Sequence, residues 1–317
     1  MSEPMVSAIV CVYNGAEFLA STLDSALAQT YSAFELIVID DGSTDGSMDL
    51  LSKYSDPRIR TIRQSNRGAA AALQAGIDIA RGKYVALLDQ DDIWEPDKLR
   101  CHVELFEQKP EIDLTFSWFR LIDGQGNDMG VHSSRYRGTI SFPDLLCDFV
   151  IGASSNVVIR RSALSAVHVD AGLPRVYDWD LFLRIALLVP NNVEAIPKDL
   201  MWYRRRDGQI SSDVDALKQE WLQALAKLRD LIPDQVAPVE KLARSNMNRY
   251  FARLAYGGSC YAGGLQHLSE GFRDAPVPFL ADSRNWLTAA ACLAGLMLPR
   301  RLHRGLERLA GLRRETP

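Results

Sequence analysis

Three carboxylates fall within four residues, Asp89-Gln90-Asp91-Asp92, directly after the apolar run Tyr84-Val85-Ala86-Leu87-Leu88. Carboxylates this close repel one another in a partly desolvated site, and a divalent cation removes that repulsion. Mg²⁺ and Mn²⁺ suit oxygen ligands, and Mg²⁺ usually takes one or two carboxylates together with substrate phosphate oxygens. The cluster points to a metal–diphosphate site, with a solvated acidic turn as the plain alternative. Two other apolar runs end in polar groups, one in Tyr13-Asn14-Gly15 and one in Asp40-Asp41-Gly42-Ser43.

Such groups need a scaffold that brings them to one rim. Val6 to Val12, Phe34 to Ile39 and Tyr84 to Leu88 are short and almost wholly apolar, as buried parallel strands are, and Arg58 to Ile62 is a weaker case. Phe18, Leu19, Leu23, Ala26 and Leu27 recur at helical spacing. Met48 and Leu51 lie on a helix that Ser43 or Thr44 can cap, and Ala69 to Arg81 reads as an alanine-rich helix closed by Gly82. This alternation predicts an α/β fold, a right-handed, mainly parallel sheet with flanking helices and its ligand site at the carboxyl ends of the strands.

Further along, Pro96 suits the first residue of a helix bearing Leu99, Val103 and Phe106, and Pro110 stops it. Leu114, Phe116 and Trp118 alternate with Thr115 and Ser117, which predicts a strand with two unlike faces. Ser155 to Ile159 reads as a strand, Arg161-Ser162 as a helix start, and Leu181 to Val189 as an apolar helix preceded by Tyr177-Asp178-Trp179-Asp180. From about Asp213 the pattern is helical, which divides the chain into an α/β domain, 1-212, and a helical C-terminal extension, 213-317.

The 317 residues are 47% hydrophobic and 24% charged, enough for a sizeable core. A net charge of −4 gives no case for nucleic acid as a partner. The five cysteines are scattered without a C-x-x-C, which suits buried thiols in a reducing compartment. No basic segment precedes the first apolar run and no apolar stretch reaches the ~20 residues of a spanning helix, so the expected location is cytoplasmic. Ala289 to Leu298 is apolar, and Arg300, Arg301, Arg304, Arg308, Arg313 and Arg314 follow. Such a tail can lie on an anionic membrane face as a peripheral contact, or pack on the protein. No G-x-G-x-x-G follows a strand and no G-x-x-x-x-G-K-[ST] occurs, which excludes the dinucleotide and P-loop readings.

Taken in order, V-Y-N-G-A-E-F-L, S-A-L-A-Q-T-Y, I-D-D-G-S-T-D-G-S, N-R-G-A-A-A-A, L-D-Q-D-D-I-W-E-P-D-K-L and D-W-D-L-F-L-R resemble the family 2 glycosyltransferases, which have the GT-A fold. The resemblance runs from Val6 to Ser211, and the D-Q-D-D-I-W wording is most similar to bacterial rhamnosyltransferases of surface-polysaccharide synthesis. It implies that Asp41 holds the base and ribose of a nucleotide donor, with Asp40 as the alternative carboxylate and Tyr13 and Asn14 bordering the same pocket. Arg67 either approaches the nucleotide or is a solvated loop charge. Asp89 and Asp91 match the D-x-D, with Asp91 the direct ligand of Mg²⁺ or Mn²⁺, and Asp92 contacts the donor sugar. Asp178 matches the general base of inverting members, and Asp180 is read as the helix cap. A place near a helix N-terminus favours the ionised form that a base must hold. Trp94 and Trp179 read as core or rim aromatics, His102 and His168 as structural. Ser154 and Ser155 either border the acceptor site or start a strand.

Two departures from the family pattern matter. Tyr177 stands where many members carry Glu, and Arg206 where many carry His. Arginine cannot ligate a metal but grips phosphate, so Arg205 or Arg206 is expected on the donor diphosphate. The Q-x-x-R-W of processive polymerases is absent, so transfer is expected to be non-processive.

The function implied is inverting, metal-dependent transfer from a UDP- or dTDP-sugar to a glycan or lipid-linked glycan. A sugar-1-phosphate nucleotidyltransferase competes, against which the first loop, Y-N-G-A-E, counts. A non-catalytic nucleotide-sugar binding module also competes, against which the intact Asp89, Asp91 and Asp178 count.

Overall fold

Runs with almost no polar side become the interior strands, because a strand covered on both faces has nothing to keep wet. In chain order the elements are β1 (Val6–Val12), α1 (Ala16–Leu27), β2 (Phe34–Asp40), α2 (Ser47–Leu51), β3 (Ile59–Arg63), α3 (Ala69–Ile79), β4 (Tyr84–Asp89), β5 (Ile93–Trp94), α4 (Lys98–Gln108) and β6 (Leu114–Ile122). There follow β7 (Asp128–His132), β8 (Gly138–Ile140), α5 (Phe142–Cys147), a 3-10 turn at Ser154–Asn156, β9 (Val157–Arg160), α6 (Arg161–Leu164), α7 (Tyr177–Ala186) and β10 (Val193–Arg204). The rest is α8 (Val214–Leu231), α9 (Pro233–Val236), α10 (Glu240–Gly257), α11 (Tyr261–Asp274), α12 (Pro276–Ala281) and α13 (Ser283–Met297). The computed structural model describes residues 4–206, 208, 209 and 212–298. The chain divides into two units, Met1–Phe142 with Ile151–Arg205, and Pro143–Val150 with Arg206–Pro317.

The first unit holds one mixed sheet in the order β3-β2-β1-β4-β9-β6-β10-β5, with β7 beside β6 and β8 beside β10. β3, β2, β1 and β4 are parallel, and so are β6 and β10; β9 runs antiparallel between the two blocks. The mainly parallel α/β reading therefore stands. Several local expectations do not. α3 stops at Ile79, and Gly82 is not its cap: a Cβ there would lie 2.5 Å from Ser7 N, so glycine serves a close backbone approach. Pro96 lies in a turn before α4, which begins at Lys98. Neither Ser43 nor Thr44 caps α2; the residue at its cap position is Gly46, and Asp45 Oδ1 accepts from the Ser47 N–H at 3.0 Å. β6 is buried on both faces, because Thr115 and Ser117 also face covered space. Ser155 belongs to the 3-10 turn, and the strand begins at Val157. β10 was not anticipated: Pro197-Lys198-Asp199 interrupts its apolar pattern, at a bulge where its pairing with β6 shifts register.

In the second unit α10, α11, α12 and α13 pack around Ala252, Leu268 and Phe279, and α8 brings the buried Trp221 to α10. Trp221 meets Phe251 edge-on at 6.1 Å. Buried Arg249 pairs with Asp282 at 2.8 Å. The arginine-rich segment from Arg300 onward lies outside the described residues. No helix among the described residues is long and apolar enough to cross a membrane. All five cysteines are free thiols; Cys260 is exposed, against the expectation that all are buried.

Candidate active site

Register sets the rim. Val12 of β1 pairs with Asp40 of β2, and Cys11 with Asp89 of β4, so the polar ends of three neighbouring strands lie side by side. Asn14 turns the chain there in a left-handed conformation, φ 49°, which asparagine tolerates better than most residues. Its N–H donates to Ser43 Oγ at 3.0 Å and its Oδ1 accepts from the Thr44 N–H at 2.8 Å. The next two N–H groups donate to Ser47 Oγ and Asp45 Oδ2, both at 3.0 Å, so the loop after β2 satisfies the open N-terminus of α1. Gln90 ties β1 to the acidic loop: its Oε1 accepts from the Tyr13 N–H at 2.9 Å, and its Nε2 donates to the Tyr13 carbonyl at 3.2 Å. A Cβ on Gly15 would come within 2.2 Å of that Oε1. The Tyr13 ring remains in solvent.

Asp41 is buried, and its carboxylate accepts from Gln64 Nε2 (2.7 Å), the Arg67 N–H (2.9 Å) and the Gly68 N–H (2.8 Å). It fixes the loop that carries the exposed Arg67 side chain. Asp40 accepts from the Ser43 N–H at 3.0 Å and lies 3.1 Å from Arg63 Nε.

The acidic loop is gripped from two sides. Ser154 Oγ donates to Asp89 Oδ2 at 2.6 Å, and the Asp89 N–H donates to Ser155 Oγ at 2.9 Å. Opposite, Arg204 donates its backbone N–H to Asp92 Oδ1 (2.9 Å) and its Nε to the Asp91 carbonyl (2.8 Å). Its guanidinium lies 4.8 Å from the Phe18 ring centroid. Arg204 was missed in the sequence in favour of Arg205 and Arg206; the signal lay in its position as the last residue of an unread strand. Arg205 is exposed, with its N–H on the Ile122 carbonyl at 2.8 Å. Arg206 falls in the second unit, where its N–H donates to Gln209 Oε1 at 3.4 Å.

Charge crowds here. Burial and the neighbouring Asp91 raise the pKa of Asp89 to about 6, against two serine hydrogen bonds that lower it. Burial, Asp91 and Asp89 push Asp92 well above the usual carboxylate range. Asp178 lies in the first turn of α7, and burial, with Asp89 nearby, raises it to about 7 although the Trp179 N–H opposes the shift. The expectation of a plainly ionised Asp178 is thus corrected: desolvation outweighs the helix N-terminus. Tyr177 is raised by burial and by Asp89, Asp178 and Cys11, so α7 brings its acid to the ends of β1 and β4. Asp180 is no cap; it pairs with Arg184 within α7. His102 is buried, with Lys98 Nζ at 3.1 Å and Thr115 Oγ1 at 2.7 Å as partners.

These groups fit a divalent cation. The charge of Asp91 raises the pKa of both Asp89 and Asp92, and among the described residues Asp92 Oδ2 is buried with no hydrogen-bond partner. Among the described residues no three His, Cys, Asp or Glu side chains form a closed cage. The fit is to an open site, completed by ligand oxygens, as Mg²⁺ and Mn²⁺ prefer.

The sheet, its acidic rim and the helices around it define a GT-A type glycosyltransferase fold. It is shared with Staphylococcus aureus TarS 1-349 in complex with UDP-GlcNAc (TM-score 0.65, 16% identity, 90% of each chain). A mannosyltransferase of Pyrobaculum calidifontis in complex with GDP-Man and Mn²⁺ shares it too (TM-score 0.59, 16% identity, 98% of this chain and 88% of that one). Residues 7–167 match the model of glycosyl transferase family 2, and the chain belongs to that family. It is 34% identical over 226 residues to the putative teichuronic acid biosynthesis glycosyltransferase TuaG of Bacillus subtilis, covering 69% of this chain and 86% of TuaG. It is 30% identical over 225 residues to the Escherichia coli UDP-Glc:alpha-D-GlcNAc-diphosphoundecaprenol beta-1,3-glucosyltransferase WfgD, covering 70% and 85%. An uncharacterized glycosyltransferase of Nostoc is 36% identical over 211 residues, 63% of this chain; the chain spans 64% of that protein's length.

Proposed function

We propose that this family 2 glycosyltransferase is an inverting, metal-dependent, non-processive enzyme. It moves a sugar from a UDP- or dTDP-sugar to a glycan or lipid-linked glycan in cell-surface polysaccharide synthesis. The observation that carries this reading is the electrostatic contact of Asp178 with Asp89, which also feels Asp91. Asp178 takes the proton of the acceptor hydroxyl, whose oxygen forms its bond to the anomeric carbon as the bond to the diphosphate oxygen breaks. Attack opposite the leaving group inverts the centre. A divalent cation held by Asp91 supplies, when bound, the positive charge that makes the nucleoside diphosphate a competent leaving group. Asp92 faces the donor sugar. Tyr13, Asn14, Asp41, Arg67 and Asp89 line the nucleotide, and Arg205 or Arg206 grips the diphosphate. The names of TuaG and WfgD support the polysaccharide setting and a lipid-linked acceptor.

The helical region from residue 213 is read as a peripheral contact with the inner face of the cell membrane. On α13 the positions 286, 290, 293 and 297 share a face at helical spacing; Trp286, Leu293 and Met297 are exposed there, flanked by Leu287 and Leu296. The arginine-rich sequence follows directly.

The deciding measurement is release of UDP or dTDP from a panel of nucleotide sugars, with Mn²⁺ and with EDTA. Release that stops in EDTA, with an inverted product anomer by NMR, is expected. Pyrophosphate exchange identifies a nucleotidyltransferase instead, and binding without turnover a silent module; either overturns the proposal.

A further inference from the structure

The stretch from Asp89 to Lys98 does more than present carboxylates: three of its residues close on one turn. Asp89 bonds the hydroxyls of Ser154 and Ser155. Trp94 Nε1 donates to the Ser155 carbonyl at 2.8 Å. Lys98 Nζ donates to the Asn156 carbonyl at 2.9 Å. Consecutive residues of the 3-10 turn are thus held by consecutive parts of the acidic segment. Asn156 anchors the turn onward, through Nδ2, to the carbonyls of Ser117 (3.1 Å) and Ile151 (2.7 Å).

Lys98 is the unusual member. It is fully buried, with its amine 5.6 Å from the Trp94 ring centroid and 3.1 Å from His102 Nε2. His102 Nδ1 meets Thr115 Oγ1, which donates to the Val158 carbonyl at 3.4 Å. The donors line up in one direction: Thr115 gives its proton to Val158, accepts from His102 Nδ1–H, and leaves Nε2 to accept from Lys98. Burial pushes the pKa of both Lys98 and His102 well down, in keeping with a neutral imidazole in that chain. A buried amine costs more than an apolar side chain of equal size, so stability alone does not explain it.

We propose that Lys98 and Trp94 are positioning residues for the transfer reaction, acting through the 154–156 turn to fix the carboxylate of Asp89. The proposal rests on the reading of the acidic rim as the donor site. It does not require Lys98 to titrate or to touch substrate. The segment thus carries its own brace: its first acid is aimed by its own tryptophan and lysine, by way of a turn far along the chain.

The test uses the full chain and the variants Lys98→Met, Trp94→Phe and Ser154→Ala, singly and as the double variant Lys98→Met/Ser154→Ala. Folding is checked by melting temperature, and nucleotide affinity by calorimetry with UDP and dTDP, each with and without Mn²⁺. Lys98→Met removes the donor to the Asn156 carbonyl and His102 Nε2, so it is expected to melt somewhat below the wild type while still folding, and to bind nucleotide alone as the wild type does. It is expected to lose kcat/KM, and the Mn²⁺-dependent gain in nucleotide affinity, by about 10–100-fold, the usual loss on removing an outer partner of a site. Ser154→Ala breaks the last link directly, so the double variant is expected to be no worse than the poorer single one. Trp94→Phe keeps an aromatic side chain but deletes the indole N–H and leaves a smaller ring at a buried site, so its folding is checked in the same way, and it decides the matter if Lys98→Met does not fold. Folded variants that keep wild-type kcat/KM, or a double variant whose losses multiply, overturn the inference. A wild-type chain with no Mn²⁺-dependent gain and no EDTA-sensitive turnover overturns the donor-site reading instead.

Discussion

Asp89 of β4 and Asp178 of α7 come from distant parts of the first unit's sequence, yet the charge on Asp89 helps to raise the pKa of Asp178 to about 7. A base with that value is half ionised near neutrality. kcat/KM is therefore expected to climb with a slope of about one per pH unit up to pH ~7 and then level. Asp89, with a pKa of about 6, titrates nearby, so a variant must assign the inflection. Asp178→Asn is expected to remove it and to lower the rate by about 10²–10⁴-fold. The sign for stability is the reverse. A carboxylate whose folded pKa is raised binds its proton more tightly in the folded chain, so stability falls as pH rises from ~4 to ~7. Over that range the melting temperature of Asp178→Asn should fall less than that of the wild type.

Arg204 is the cation that holds the acidic loop by its backbone. Arg204→Met removes the hydrogen bond to the Asp91 carbonyl and the contact with Phe18 while leaving the backbone N–H on Asp92. A loss of about 2–4 kcal/mol is expected in urea unfolding. A variant as stable as the wild type shows that the loop does not need the guanidinium.

Two glycines make a paired test of close packing. Gly82→Ala puts a methyl group against the backbone of β1, at 2.5 Å from Ser7 N, and Gly124→Ala meets nothing within 4 Å. The first is expected to cost about 3 kcal/mol or more and the second well under 1 kcal/mol by thermal unfolding.

The apolar face of α13 can be tested with vesicles. The full chain is expected to co-sediment with vesicles containing phosphatidylglycerol and not with neutral ones. The variant Trp286→Ser/Leu293→Ser/Met297→Ser should stay in solution and keep its rate on a soluble acceptor. Sedimentation unaffected by these changes assigns the face to another occupant.

The parallel half of the sheet was legible because its strands are uniformly apolar and stop at turn residues, and β1 begins and ends where Val6 to Val12 predicted. Asp89, Asp91, Asp92 and Asp178 stood out in the sequence as candidates, but the raised pKa of Asp89, Asp92 and Asp178 did not, because the burial behind it comes from tertiary neighbours. β10 was hidden by Pro197 and its bulge, and Arg204 was hidden with it. Lys98 fell inside the wording L-D-Q-D-D-I-W-E-P-D-K-L, but its burial did not show: a lysine on a helix with Leu99, Val103 and Phe106 reads as surface, and its core partners, the Asn156 carbonyl and His102, appear only in the fold.

The place of β9 bears on how the protein is made. β3, β2, β1 and β4 all precede it and can pair while the chain is still being synthesised, since domains begin to fold amino end first. β6 enters the sheet through β9 and β10, both of which follow it. The serines that hold Asp89 emerge from the ribosome just ahead of β9. A nascent chain that has not reached them carries its acid-rich loop unbraced, so the loop gains its brace only after the four parallel strands β1 to β4 have been made.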